Sequence, residues 1–228
     1  MTYEVVAVAP VLGRPQNVEP LAWSWKRGAA PGRLLFVAEP SDEAEVAEIR
    51  RALDDRVHLL LAPEGCRSWA SKVNLAYRRT DEPWLLLAAD DVRFWAGWWD
   101  QTSGLRADPA AGVIGTNDLG NPRVMRGEHA THPLVRRVYA DSQGTIDRPG
   151  EVCCEEYRHW FVDDELVRTA RARGAFRPCL GAGVEHLHPI WGRGQVDDTY
   201  ILGQSFVEQD KATWERRLER IQALEESL

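Results

Sequence analysis

Two adjacent carboxylates, Asp90 and Asp91, end the apolar run Trp84-Leu85-Leu86-Leu87-Ala88-Ala89. Acids at the carboxyl tip of a buried strand stand where ligands collect in open α/β sheets, and a pair of them suits a hard divalent cation that itself grips phosphate oxygens. The competing reading is a solvated turn, where Asp is common. A second cluster, Asp163-Asp164-Glu165, opens a helical stretch that runs into Leu166, Val167 and Ala170. Acids in a first turn cap a helix and complement its dipole, whatever else they do. A third cluster, Glu185-His186-Leu187-His188, alternates on an extended segment, which points both imidazoles to one side as candidate metal or phosphate ligands. The alternative places one histidine in a core hydrogen bond and the other in solvent.

The elements around these clusters define how they are positioned. Glu4 to Ala9 is a short apolar, β-branched run stopped by Pro10, and reads as a buried first strand followed by the loop Pro10 to Pro15. A second strand runs from Arg33 to Ala38 and ends at Glu39-Pro40. Ser41 or Asp42 then caps a helix whose Ala44, Ala47, Ala52 and Leu53 are expected to face the sheet. Val57 to Leu61 is a third strand, Ser68 to Arg79 a helix carrying Trp69, Val73, Ala76 and Tyr77, and Trp84 to Ala88 a fourth strand ending at the acidic pair. This βαβ alternation calls for a mostly parallel sheet flanked by helices. Past Asp91 the rhythm breaks: Phe94 to Trp99 is aromatic, Gly112 to Gly115 is a short strand, and 117–150 has few periodic apolar positions. Helical periodicity returns over Trp160 to Arg173, Gly181 to His188 is extended, and Thr213 to Leu228 is an amphipathic helix with Trp214, Leu218, Ile221, Leu224 and Leu228 on one face.

At 228 residues the chain fits one α/β domain with a sizeable core, and neither disulfides nor a structural metal are required to hold it. A hydrophobic fraction of 44% without a long uncharged apolar stretch gives no expected membrane span. Met1-Thr2-Tyr3-Glu4 has no basic region leading into an apolar one, so a cytoplasmic location is expected. The four cysteines, including the adjacent Cys153-Cys154, lack a zinc spacing and are expected as free thiols. A net charge of -7 argues against broad phosphate neutralisation on nucleic acid. The arginines at 123, 126, 136, 137 and 148 read as a solvated loop surface.

In order and spacing, six pieces resemble a known family. They are Val8 to Pro15, Val37 to Ser41, Ser71-Lys72-Val73-Asn74-Leu75-Ala76, the acidic strand end, Asp163-Asp164-Glu165-Leu166, and the late histidines. Together they look like a nucleotide-sugar-dependent glycosyltransferase of GT-A fold, of the broad inverting family 2 type, over roughly residues 4 to 200. The resemblance implies a Rossmann-like α/β domain over 1–228, with a donor half (1–93), an acceptor and catalytic half (94–205) and a C-terminal helix (206–228). It implies Mn2+ or Mg2+ held by Asp90 and Asp91, with His186 or His188 completing the metal shell or touching the diphosphate. The first acid of the usual Asp-x-Asp motif is replaced by Ala88 or Ala89. Pro10, Arg14, Glu39, Lys72 and Asp90 are the implied donor contacts. Asp164, with Asp163 close behind, is the implied general base on the acceptor hydroxyl, a role in which a carboxylate accepts the proton as oxygen attacks the anomeric carbon.

The implied donor is a UDP-, GDP- or dTDP-linked sugar; the acceptor is open between protein, glycan, nucleic acid and a lipid-linked molecule. Residues 117–150 and the tryptophans from Trp95 to Trp99 are expected to face acceptor and sugar, unless those indoles are core. Two rivals stand beside this reading. One is a catalytically silent sugar- or protein-binding module on the same fold, which the missing first Asp favours. The other is a sugar-nucleotide pyrophosphorylase, which needs a richer glycine loop than Gly13-Arg14 supplies.

Overall fold

The computed structural model describes residues 3–227. The apolar runs of the first half form four parallel strands, β1 (Val5–Pro10), β2 (Gly32–Ala38), β3 (Val57–Leu61) and β4 (Trp84–Leu87). Crossovers α1 (Val18–Gly28), α2 (Glu43–Ala52) and α3 (Trp69–Arg79) connect them. Alternate residues of β1 feed opposite faces: Val5, Ala7 and Ala9 enter one hydrophobic core, Val6 and Val8 the other. A strand buried on both faces has no polar positions, which is why it reads as a continuous apolar run.

Beyond the acidic pair come β5 (Val92–Phe94), α4 (Trp98–Gln101), α5 (Ser103–Ala107), β6 (Val113–Asn117), α6 (Pro122–Met125), β7 (Pro133–Arg136) and α7 (Arg137–Ser142). The chain continues into α8 (Val162–Ala172), β8 (Phe176–His186), α9 (Asp198–Gln204) and α10 (Val207–Glu226). All eight strands join one sheet in the order β3-β2-β1-β4-β7-β6-β8-β5. β7 runs antiparallel to both β4 and β6, β6 and β8 are parallel, and β5 closes the edge antiparallel to β8. Four of the seven pairings are thus parallel, concentrated in the first half.

Several expectations change. α2 buries Glu45, Val46 and Ile49, with Ala52 packed half-buried against the core and Ala44 exposed, and Leu53 lies past the helix end at 43% exposure. Asp42 does cap it, accepting from Glu45 N. α10 turns Asp210, Thr213, Arg217 and Ile221 inward, with Trp214, Leu218 and Leu224 only half-buried at the margins; Leu228, like Met1 and Thr2, lies outside the described residues. Arg136 and Arg137 are not a wet surface. Their guanidinium groups donate to the main-chain oxygens of Ala111, Arg106, Asp108, Glu82 and Tyr77 and pack over Trp84 and Tyr77. Trp98 and Trp99 are core, and exposed Trp95 packs against Gly183, away from the cavity described below. The four cysteines are free thiols. Among the described residues no helix is long and apolar enough to cross a membrane.

Candidate active site

The carboxyl ends of β1 and β4, the turn after β4, the end of β8 and the start of α8 open onto one cavity of about 340 Å³. Pairing of β5 with β8 places Val92 opposite His186, and Leu187 N donates to Asp91 O at 2.8 Å. The acidic turn and the late histidines are thereby locked together. His186 Nε2 stands 3.2 Å from Asp91 Oδ1, within ion-pair range, and Asp91 Oδ1 and His186 Nδ1 are buried without a well-formed hydrogen bond. His132 packs edge-on against His186 with ring centroids 4.6 Å apart, and its Nε2 is likewise unpartnered. His188 lies just past β8, its ring 4.8 Å from that of His186 and its Nδ1 accepting from Ile190 N.

Arg14 connects this corner to the rest. Its Nη1 lies 3.1 Å from Asp90 Oδ1 and 3.5 Å from Asp91 Oδ2, while Nε and Nη2 form a bidentate pair with Asp197, each at 2.8 Å. The Arg14 main-chain N–H donates to buried Glu45. Burial, and then the neighbouring charge of Asp91, pushes Asp90 up to about 7. For Asp91 burial acts in the same upward direction, but His186 and Arg14 outweigh it and hold this carboxyl well below the usual range. Burial, with His186 next, lowers both His132 and His188 to about 4, which keeps their nitrogens available as neutral ligands.

The same cavity carries the second acidic cluster. His129 Nε2 is 3.0 Å from Asp163 Oδ2, and Arg123 Nη1 donates to Asp164 Oδ1 at 2.7 Å. His129, Asp163 and Asp164 offer three potential ligand atoms within 4.8 Å of one another. Burial resists ionisation of Asp163, yet His129 lowers its pKa; burial and the charge of Asp163 raise that of Asp164. The two adjacent carboxyls are therefore driven apart in basicity. Glu165, third in the sequence cluster, faces elsewhere and pairs with Arg217 inside the protein.

Pro10, Arg14, Lys72, Asp90, Asp91, Asp163, Asp164, His186 and His188 all line the cavity. Glu39 does not; its carboxylate meets buried Lys72 Nζ at 3.2 Å, and the same ammonium donates to Val11 O. The sequence reading missed His129, His132 and the aromatic lining of Trp69, Trp160, Phe161, Trp191, Tyr200 and Phe206, and Asp197, which holds Arg14. A signal was present in composition: five of the six histidines line this one cavity.

A divalent cation fits the Asp91 corner. The buried unpartnered atoms, a carboxylate oxygen among imidazole nitrogens, form the donor set that such an ion accepts.

No protein-family model matches the chain, and no curated protein does. Solved structures match its fold. A mannosyltransferase from Pyrobaculum calidifontis in complex with GDP-Man and Mn2+ superposes with a TM-score of 0.64 at 16% identity, covering 85% of this chain and 59% of that one. Glucosyl-3-phosphoglycerate synthase from Mycobacterium tuberculosis, in complex with Mn2+, UDP-Glc and phosphoglyceric acid, gives 0.62 at 10% identity, covering 96% and 80%. TarS of S. aureus with UDP gives 0.60 at 11%, covering 81% and 59%. The chain spans about three fifths of the mannosyltransferase and TarS structures that it matches. With its eight-stranded sheet and flanking helices, the chain has the GT-A fold that these glycosyltransferases share.

Proposed function

We propose that the chain is a glycosyltransferase that moves a sugar from a nucleotide donor to an acceptor hydroxyl with inversion at the anomeric carbon. The observation that carries this reading is that carboxylates from two distant segments, Asp90-Asp91 and Asp163-Asp164, line one cavity. The fold neighbours bound to GDP-Man or UDP-Glc with Mn2+ support it.

In this reading residues 1–93 form the donor side, with Pro10, Arg14 and Lys72 near the nucleoside diphosphate. Asp91 and His186 would hold Mn2+ or Mg2+, with Asp90 and His188 beside them. The ion supplies positive charge to the diphosphate as it departs. Asp164 is the base. Of the two adjacent acids it is the one whose proton affinity is raised, and pairs driven apart in this way divide their labour. Its carboxylate takes the hydroxyl proton, the hydroxyl oxygen bonds to the anomeric carbon, and the bond to the diphosphate breaks with its electron pair on the leaving oxygen. Asp163, held by His129, fixes the start of α8, and Arg123 orients Asp164. The aromatic lining of Trp160, Phe161, Trp191 and Tyr200 offers flat faces to a sugar ring.

Arg14 favours a second reading. Its guanidinium already bridges Asp90 and Asp91, so this side chain can itself supply cationic charge to the phosphates without a metal. One experiment addresses both. UDP-, GDP- and dTDP-sugars are screened by thermal shift with Mn2+ and with EDTA, and the donor that binds is followed for release of nucleoside diphosphate. A metal-dependent shift with turnover supports the first reading, and an EDTA-insensitive one the second. Absence of binding and turnover for every donor sinks both.

A further inference from the structure

α10 supplies no residue to the cavity among the described residues, yet it holds the wall that leads into the second acidic cluster. Asp210, on the first turns of α10, is fully buried. Its Oδ1 accepts from Arg158 N, and its Oδ2 from His159 N and Trp160 N, each at 2.8 Å. Three successive main-chain N–H groups converging on one carboxylate form a charge-assisted nest, stronger than neutral bonds and inaccessible here to water. Two more contacts pin the same stretch: Trp160 Nε1 donates to Gly203 O at 2.8 Å, and Phe161 stacks on Trp214 of α10 with planes 12° apart.

The stretch needs holding. Phe161 has φ 64°, a left-handed conformation that a bulky side chain adopts only where its surroundings enforce it. That residue is also the N-cap of α8, so its conformation sets the direction in which Asp163 and Asp164 leave the loop. Arg158, His159, Trp160 and Phe161 all face the cavity.

We infer that Asp210 is a positioning residue for the acidic cluster of α8, acting through the 158–161 loop from a helix outside the cavity. The loop's conformation is imposed by the carboxylate of Asp210, and the alignment of Asp163 and Asp164 depends on it. This rests on the glycosyltransferase reading for its catalytic consequence only.

The test compares Asp210→Asn and Asp210→Ala with Ile221→Ala, which removes buried bulk from the same helix without touching the loop. Asparagine keeps the size but replaces one acceptor oxygen with a donor, so it serves if the alanine variant does not fold. Hydrogen exchange of the amides of residues 158–160 is read in each folded protein. So are nucleoside-diphosphate affinity with Mn2+ and turnover of the nucleotide sugar that the wild type accepts. The inference expects exchange at these amides at least tenfold faster in the Asp210 variants than in Ile221→Ala. It also expects turnover to fall at least tenfold, with nucleotide affinity within twofold of wild type. Exchange no faster than in Ile221→Ala overturns it, and so does fast exchange with undiminished turnover. If the wild type turns over no nucleotide sugar, the glycosyltransferase reading fails by itself, and the exchange measurement still decides whether Asp210 holds the loop.

Discussion

His186 Nε2 stands 3.2 Å from Asp91 Oδ1, across the antiparallel pairing of β5 with β8. A residue late in the chain thus completes a corner begun by the acidic end of β4. Asp91→Asn is expected to abolish any Mn2+-dependent part of the thermal shift given by a nucleoside diphosphate, and His186→Ala to weaken it at least tenfold. Titration calorimetry with and without Mn2+ checks this. Metal-dependent binding that survives in Asp91→Asn removes this corner from consideration as the ion site.

Asp164→Asn removes the proposed proton acceptor while preserving shape and the contact with Arg123. Turnover is expected to drop about 10²- to 10⁴-fold, the usual contribution of a positioned base. Donor affinity stays as in the wild type. Initial rates measured beside equilibrium binding separate these effects, and a loss below threefold assigns the base elsewhere.

Asp90 makes the metal-free protein pH-sensitive. Unfolded, its carboxyl titrates near the ordinary 3.8; folded, burial and then Asp91 push it up to about 7. The folded state therefore holds the proton more tightly between these values. The stabilisation is fully present below about 3.8 and is lost as pH rises through about 7. Asp90→Asn stays neutral throughout. Its melting temperature is expected to exceed that of wild type at pH 8 by on the order of 2–4 °C or more, with a clearly smaller advantage at pH 5. Calorimetric melts in EDTA across this range decide it, and equal gains at both pH values would contradict the assignment.

Arg217 is 2% exposed and meets Glu165 at 2.6 and 2.8 Å and Asp147 at 2.8 Å, while Tyr157 donates to the same Glu165. Arg217→Met leaves a carboxylate buried without its cation and is expected to cost about 3–5 kcal/mol in urea unfolding. Adding Glu165→Gln removes the stranded charge and is expected to recover much of that loss. A double variant as unstable as the single one would mean that packing rather than charge dominates.

The legible part of the fold was its first half. β1, β2 and β4 are contiguous runs buried on both faces, β3 is an apolar run at the edge of the sheet, and the helices between them are short-range crossovers, so local pattern and final structure agree. The second half depends on β7 slipping antiparallel between β4 and β6, and no local pattern records that insertion. Buried charges also defeated the apolar pattern. Glu45 on α2, and Asp210 and Arg217 on α10, occupy inward positions where periodicity seeks hydrophobic residues. In the candidate site, Asp90, Asp91, Asp163, Asp164, His186 and His188 could be picked out by type and by place at element ends. His129, His132 and Asp197 lie in irregular stretches, and only the folded chain brings the two histidines to the cavity and Asp197 to Arg14.

The contact between Arg14 and Asp197 joins positions 183 residues apart, and Thr199 Oγ1 donates to Leu12 O across a separation of 187. Loop closure over such spans comes late, because its entropy is lost before any contact rewards it. During synthesis the parallel half can assemble while Arg14 still lacks Asp197 as its partner. The maturation of the cavity is thus tied to the arrival of residues 197–199 rather than to formation of the parallel half.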